Sequence, residues 1–385
     1  VNAAVNGFDV VVAGAGVIGL AIAWRAACDG ARVAVCDSDP GRGASWVAAG
    51  LLAPITEVHY GEELLLKLNL ASAARWPSFA AELEDASGMS VGLRVEGTLV
   101  VAVDADDMRS LDELAGFQRS LGLGVERLGS REVRRLEPNL SPRTRGALFV
   151  ASDHHVDNRR VVSALRLAAT RAGVVCVPRA VTSITVQPGT NRASGVLLDD
   201  HSPIGAGTVV VAAGAASASI SGLPAEAQLP VRPVKGQIIR LHVGADGPLL
   251  TRAVRGVVHN IPVYIVPRHD GEIVVGATSE EQGFDISTTA GAALDLLAAA
   301  ATLVPDLREA RLDEIRAGSR PTTPDNGPVL GRCAVSGVVW ATGHYRNGIL
   351  LTPVTADAIG GVLRGLPLPP EAAPFTLDRF YCEAT

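Results

Sequence analysis

The sequence has no C-x-x-C pair, and its cysteines are odd in number: Cys28, Cys36, Cys176, Cys333 and Cys382. That argues against a disulfide framework or a structural zinc site and leads us to expect a reducing, cytoplasmic compartment. A basic excess is missing too. Lys plus Arg total 34 against 40 for Asp plus Glu, a formal charge of −6, so nothing offers the phosphate neutralisation that a nucleic-acid partner requires. The apolar stretch from Val10 to Trp24 covers only 15 residues, whereas a membrane span takes about 20. It follows Asp9 rather than Lys or Arg, and glycines at motif spacing interrupt it, unlike a signal peptide. Internal repeats, low-complexity linkers, G-x-S-x-G, Walker and H-E-x-x-H motifs are all absent. No metal site is expected.

What is present is core material. Hydrophobic residues make up 48% and charged residues 19% of 385 positions, enough for two domains. Phe8–Ala13 (FDVVVA) reads as a buried strand, followed at once by Gly14-Ala15-Gly16-Val17-Ile18-Gly19 and an Ala-rich helix to Asp29, stopped by Gly30. A second strand, Ala31–Cys36, ends at Asp37, eighteen residues past Gly19. In this context Gly14 permits the tight turn, Gly16 lets backbone approach a pyrophosphate, and Gly19 lets helix and sheet pack closely. Asp37 is placed to accept from a ribose diol, which favours an unphosphorylated ribose without separating NAD from FAD. The small residues Gly43-Ala44-Ser45 and Ala48-Ala49-Gly50 would let a bulky ring lie on the backbone, and they fit a plain turn equally well.

Further along, helical patterns run from Leu64 to Glu84, interrupted by Pro77, over Asp107–Leu121, in a short piece at Arg131–Glu137 and over Arg159–Ala172, the last with Asp157 or Asn158 as cap. Strands are predicted at Val95–Val103, Gly146–Ala151, Val174–Val177, Val181–Val186, Gly195–Leu198 and Thr208–Ala213. Past Leu229, hairpin-spaced strands at Val231–Leu241, Val263–Val266 and Glu272–Ala277 suggest an antiparallel sheet. Thr289–Leu303 reads as a helix, Arg311–Ala317 and Val338–Ala341 as strands, and a glycine-rich helix begins at Asn347. The fold class is therefore α/β: a Rossmann-like dinucleotide-binding domain (1–85, 146–225, 318–385) and a second, α+β domain on an antiparallel sheet (86–145, 226–317). Asp153, His154, His155 and Asp157 read as a solvated turn, and Glu62-Glu63 and Arg134-Arg135 as exposed faces.

The blocks GVIGLAIAW, GASWVAAGLLAP, VVVAAGAAS, YIVPRHDGEIVVGAT, AGSRPTTPDNGPVLG and ATGHYRNGILLTPVT resemble the D-amino-acid oxidase and sarcosine oxidase family of FAD proteins, and within it the glycine oxidase branch of thiamine biosynthesis. The resemblance runs from about Asp9 to about Arg364 and is what selects FAD: it implies that the first domain is a Rossmann-like FAD-binding domain and the second an α+β substrate domain. It implies that Arg320 pairs with a substrate carboxylate, that the Tyr264 hydroxyl reaches the same carboxylate, and that Arg346 lies near flavin and substrate. Leu51 and Ser279 would line the side-chain end of the pocket. The cofactor positions implied are Gly14, Gly16, Gly19, Asp37, Ala44, Ser45, Ala49, Gly50, Leu51, Val181, Ala213, Gly214, His344, Arg346, Asn347, Gly348, Ile349 and Leu350. Arginine suits the carboxylate because its planar fork grips two oxygens and never deprotonates. A helix start near Asn347-Gly348 would stabilise negative charge on a reduced flavin by up to about 2 kcal/mol. The sarcosine oxidase branch tethers FAD to a cysteine just upstream of the T-P-D segment. Here Gly318, Ser319 and Arg320 stand there, so FAD is expected to be non-covalent.

The activity implied is oxidation of a small amino acid, glycine first, to an imine. Dioxygen takes the electrons to give peroxide, and a thiazole synthase is a possible imine acceptor. A homo-oligomer is compatible with this. Rival readings are a broader D-amino-acid or sarcosine oxidase, a dehydrogenase passing electrons to quinone or a partner subunit, and a non-catalytic flavin binder.

Overall fold

In a computed structural model, described over residues 7–244 and 248–381, the chain forms two large sheets. Cys382 lies outside the described residues. The first sheet has the order Val329–Arg332, Val338–Thr342, Pro203–Val211, Phe8–Ala13, Val33–Cys36, Val175–Val177, parallel except at the Val329–Arg332 edge. Val181–Val186 and Ala193–Leu198 extend it as an antiparallel ribbon on Pro203–Val211. Parallel strands are buried on both faces. Val10, Val12, Val33 and Val35 accordingly pack under helices Val17–Cys28, Asn158–Arg171 and Thr352–Leu363, while Val11, Ala34 and Val209 face a separate cluster.

The second sheet runs Arg311–Thr322, Arg232–His242, Glu272–Gly276, Ile261–Pro267, Ala253–Val258, Thr98–Ala102, Gly146–Val150, Glu126–Gly129. It is antiparallel except between Ala253–Val258 and Thr98–Ala102. Side chains alternate across a strand. Ile239, Val254, Ile265 and Val275 thus meet helix Ala290–Leu303 on one face. Ile238, Ala253, Val266 and Val274 meet Val47 and Ala49 on the other. That second face looks toward the glycine-rich turn region of the first sheet.

Several expectations shift. Gly146–Val150 pairs with Thr98–Ala102 and Glu126–Gly129 in the second sheet, and Arg311–Thr322 is one strand paired along Arg232–His242. Segments placed with the first domain at 146–150 and 318–322 therefore belong to the second sheet. Pro77 does not interrupt its helix, which is continuous from Glu63 to Ser87. An interior proline costs about 3 kcal/mol, and the fully buried Leu68, Trp76, Phe79 and Leu83 on that helix offset it. The helix expected from Asn347 starts at Thr352, with a 3-10 turn over Tyr345–Asn347 before it and Pro353 in its first turn.

Asp153 and His155 are not a solvated turn; both are buried. Asp153 accepts from the N–H groups of Ile55 (3.2 Å) and Thr56 (2.7 Å), and burial pushes its pKa up to about 6. The His155 ring meets the Pro267 carbonyl at 3.1 Å, and burial holds its pKa down to about 3. His344, also buried, is likewise held down to about 3 by burial. A depressed histidine contributes stability above its unfolded value near 6.5 that is lost as pH falls toward 3. Asp153, raised, works in reverse: its contribution is present below about 4 and is lost as pH rises through 6. Two histidines moving further outweigh one carboxyl moving less. The thermal midpoint is expected to fall from pH 6.5 to pH 4.5, with a shallower fall in His155→Gln. A midpoint that rises over that range contradicts these assignments.

Candidate active site

The strand Phe8–Ala13 ends at Gly14, whose φ is +105°. A Cβ there would overlap the Ala212 carbonyl and lie 2.7 Å from the Ala213 Cα. Gly16 is the N-cap of helix Val17–Cys28 with no side-chain cap of its own. One first-turn helix donor, Val17 N–H, is taken by Ser45 Oγ at 3.1 Å. Gly19 lies against the Gly14 backbone, with room for no side chain. Asp37 does more than stand at the end of the second strand. Its Oδ2 accepts from Ala15 N at 2.7 Å and its Oδ1 from Asp39 N at 2.9 Å, so the carboxylate fixes the glycine turn while keeping lone pairs for a diol. Hydrogen bonds to charged groups are worth about 1.5–3 kcal/mol. Asp37→Ala is accordingly expected to weaken FAD retention by roughly 10- to 100-fold, measured by reconstituting apoprotein. Unchanged retention would remove Asp37 from the site.

The strand order reverses around Phe8–Ala13, which creates a crevice at the carboxyl ends of the strands. Most expected cofactor positions gather there. Ala213 and Gly214 follow strand Pro203–Val211, and the Gly214 carbonyl accepts from Thr342 Oγ1 at 3.1 Å. Ala44 and Ser45 open the short helix Ala44–Val47. The Ala49 carbonyl accepts from Arg268 Nη2 at 2.6 Å, and a Cβ on Gly50 would overlap the Val156 carbonyl. His344 Nε2 meets Thr355 Oγ1 at 3.0 Å, a packed neutral ring rather than a base. Asn347, Ile349 and Leu350 are buried, and Gly348 is half-buried. Among the described residues the N–H groups of Ile349 and Leu350 have no backbone partner. The Leu350 carbonyl is tied to Ser72 Oγ (2.6 Å) and Trp76 Nε1 (2.9 Å). Val181 stands apart, opening the antiparallel ribbon near Val177, whose carbonyl holds Asp37 N at 3.1 Å.

Across from this crevice, one face of the second sheet carries the expected substrate residues. Register places Arg255 opposite Tyr264, Tyr264 opposite Gly276, Gly276 opposite Ile238, Gly236 opposite Gly318 and Val234 opposite Arg320. Directly opposed residues share a face, so Arg255, Tyr264 and Arg320 all point the same way. Glycines form the floor beneath them. The Arg320 guanidinium lies over Gly236 and the Tyr264 phenol over Gly276, where any Cβ would collide with them. Arg320 Nη1 donates to the carbonyls of Thr278 (3.0 Å) and Lys235 (3.4 Å). Among the described residues no carboxylate pairs with it. Tyr264, like Leu51, packs against the cluster that contains Val47 and Ala49. Burial raises its pKa, Arg320 pulls it back and Glu57 raises it further; the phenol stays protonated and able to donate. Ser279 is exposed, one residue past the carbonyl that anchors Arg320.

Glu57, Glu62 and Arg255 escape the sequence reading. Glu57 pairs with both Arg255 and Arg346, the latter at 3.3 Å. Glu62, read as exposed, is largely covered and lies 3.7 Å from Arg346 Nη2, with Asn326 donating to it at 2.8 Å. Glu63 beside it is exposed, as expected. Burial alone would raise the Glu57 pKa, but Arg255 and then Arg346 hold it below the ordinary value. Arg346 is thus a paired arginine, Arg320 an unpaired one. Nothing in the local pattern around Glu57 marks it. The interior glycines of VKGQIIRL and IVVGA were the available signal for a close approach on the sheet.

Residues 9–360 match DAO, FAD dependent oxidoreductase. The chain belongs to this family of FAD-dependent oxidoreductases. Glycine oxidase of Geobacillus kaustophilus is 34% identical, covering 97% of each chain. Its crystal structure superposes with a TM-score of 0.87 over 97% of this chain and 98% of that one. Hydrogen cyanide synthase subunit HcnC of Pseudomonas aeruginosa is 31% identical over 98% of this chain and 97% of its own. The bifunctional protein ThiO/ThiG of Synechocystis is 34% identical over 97% of this chain, which spans 54% of that longer protein.

The protein is therefore an FAD-dependent enzyme of the amino-acid oxidase type, carrying out oxidative deamination of an amino acid with FAD bound non-covalently. The residues present fit that cofactor: a glycine cradle with no room for a Cβ at Gly14, an Asp37 carboxylate with lone pairs to spare at the end of the second strand, and N–H groups at Ile349 and Leu350 with no backbone partner among the described residues. Cys333 is no tether. Its backbone N–H donates to the Val338 carbonyl at 2.9 Å, at the end of strand Val338–Thr342 remote from the crevice. Cys36 is buried, and burial pushes its pKa up to about 12. Among the described residues no helix is long and apolar enough to cross a membrane.

Proposed function

We propose that the enzyme oxidises glycine to its imine, which water converts to glyoxylate and ammonia. The observation that carries this reading is Arg320: a half-buried guanidinium held, among the described residues, only by backbone carbonyls, beside a protonated Tyr264 on the sheet face that looks at the flavin crevice. An amino acid carboxylate completes that pair. Residues 7–85, 151–225 and 323–381 then hold the cofactor, while 86–150 and 226–322 cover the substrate.

Bound FAD supplies the hydride acceptor, which dioxygen regenerates with release of hydrogen peroxide. The protein's share is orientation. Arg320 and the Tyr264 hydroxyl fix the carboxylate, and this aims the α-hydrogen toward the crevice. Arg346, locked by Glu57 and Glu62, stands by the segment that would meet the ring. Leu51 and Ser279 border the side-chain end. The N–H groups of Ile349 and Leu350, without a backbone partner among the described residues, would offer positive potential to the negative charge of a reduced cofactor. No side chain serves as base, since the amine enters neutral and its lone pair drives the α-hydrogen out as hydride.

The family resemblance and the match to ThiO/ThiG support a role in supplying the imine to a thiazole synthase for thiamine. The match to HcnC, a subunit by name, favours a second reading, in which a partner subunit or quinone takes the electrons. Peroxide yield separates the two. We expect one peroxide per glyoxylate formed by the purified chain in air. Glyoxylate formed only with an added quinone or dye, without peroxide, would favour the dehydrogenase.

A further inference from the structure

Glu57 sits in the segment between strand Leu51–Leu52 and helix Glu63–Ser87, and that segment is pinned from several sides. The buried Asp153 carboxylate holds Ile55 N and Thr56 N. Gln118 Nε2 donates to the Ile55 carbonyl at 3.0 Å, and Glu57 N donates to the Ala53 carbonyl at 3.2 Å. The Glu57 carboxylate is therefore delivered to a fixed point. There it meets Arg255, which rises from the second sheet opposite Tyr264, and Arg346, which comes from the turn after strand Val338–Thr342 of the first. Arg346 has a second acidic neighbour in Glu62, whereas Arg255 has Glu57 alone among the described residues. Two cations and two carboxylates cancel. Arg320 remains uncompensated.

We propose that Glu57 is a specificity-determining residue. By pairing with Arg255 and Arg346 it cancels the positive charge beside Tyr264, so the site takes amines bearing one carboxylate and turns away those bearing a second. This rests on the proposed carboxylate role of Arg320. A single anionic group satisfies Arg320. A second one would face a pair of guanidiniums already occupied and the fixed negative charge that occupies them. Removing that charge leaves Arg255 without a partner in a partly desolvated place, where a second carboxylate would take up the vacated position.

The test is a binding measurement on the FAD-loaded enzyme with two non-reacting acids, acetate and malonate, read by perturbation of the visible flavin spectrum. The unmodified enzyme is expected to bind acetate at least tenfold more tightly than malonate. Glu57→Gln should shift the ratio toward malonate by at least tenfold, and Glu57→Asp, which keeps the charge, should restore it. Arg255→Gln should shift it the other way. A purely structural role would move both acids together. Turnover offers a parallel pair, sarcosine and N-carboxymethylglycine, which differ by one carboxylate; Glu57→Gln should lower KM for the latter alone. Equal or tighter malonate binding by the unmodified enzyme overturns the proposal, as does an unmoved ratio in Glu57→Gln. If Glu57→Gln fails to hold FAD, the unmodified ratio and Arg255→Gln decide. Failure of the oxidase reading would show separately, as a flavin that neither glycine nor sarcosine reduces whatever the acid ratio.

Discussion

Arg320→Ala is expected to lose roughly 2–5 kcal/mol of substrate binding, the usual cost of truncating one partner of a buried charge pair. On the measured scale this is a fall of about 30- to several-thousand-fold in kcat/KM for glycine. The reason lies in what surrounds the guanidinium. Its hydrogen bonds go to two carbonyl oxygens, Glu57 and Glu62 are committed to Arg255 and Arg346 and Glu280 and Asp285 to Lys235, and the Tyr264 phenol cannot hold a carboxylate alone. Arg320→Lys should recover only part of the loss, because an ammonium is a point charge without the planar two-donor fork. FAD content serves as the control and should not change, since Arg320 approaches the site from the second sheet. A decrease of less than threefold in kcat/KM would remove Arg320 from the carboxylate site.

Gly236→Ala should reproduce much of that defect without touching the arginine. A Cβ at position 236 would stand 2.5 Å from the Arg320 Cζ and closer still to both terminal nitrogens. The backbone at Gly236 lies in an ordinary strand region, so alanine is tolerated there and somewhat favoured over glycine. The mobile partner is the side chain, which must swing off the sheet. We expect normal FAD content, a thermal midpoint at or slightly above that of the unmodified enzyme, and KM for glycine raised at least tenfold. Gly236→Ala with unchanged KM would mean that the guanidinium does not work from its position over the strand.

The nucleotide-binding half was legible because its chemistry is local. Gly14, Gly16, Gly19 and Asp37 lie within one strand–helix–strand unit, and each has a backbone reason to be what it is. The sequence order therefore reports the geometry directly. Arg320 and Tyr264 were reached by resemblance, and the sheet register then places them on one face. What stayed hidden was everything whose meaning depends on distant chain. Glu57 and Glu62 read as ordinary acids until strands far away deliver Arg255 and the turn at Arg346. Asp153 and His155 read as a wet turn because adjacent polar residues usually are one; burial under Pro267 and the 55–56 backbone makes them structural. Pro77 reads as a break because a helix standing alone would break there, and tertiary burial overrides it. The late start of the last helix reflects Pro353, a first-turn residue that was available in the sequence.

The central claim is that bound FAD is reduced directly by a small amino acid held through its carboxylate. Titrating the enzyme with glycine under strict exclusion of oxygen, and following the flavin absorbance, tests this most directly. Stoichiometric bleaching by glycine, and by sarcosine or D-alanine if the pocket admits them, is the predicted result. An absorbance that none of the three changes, while dithionite still bleaches it, would contradict the account.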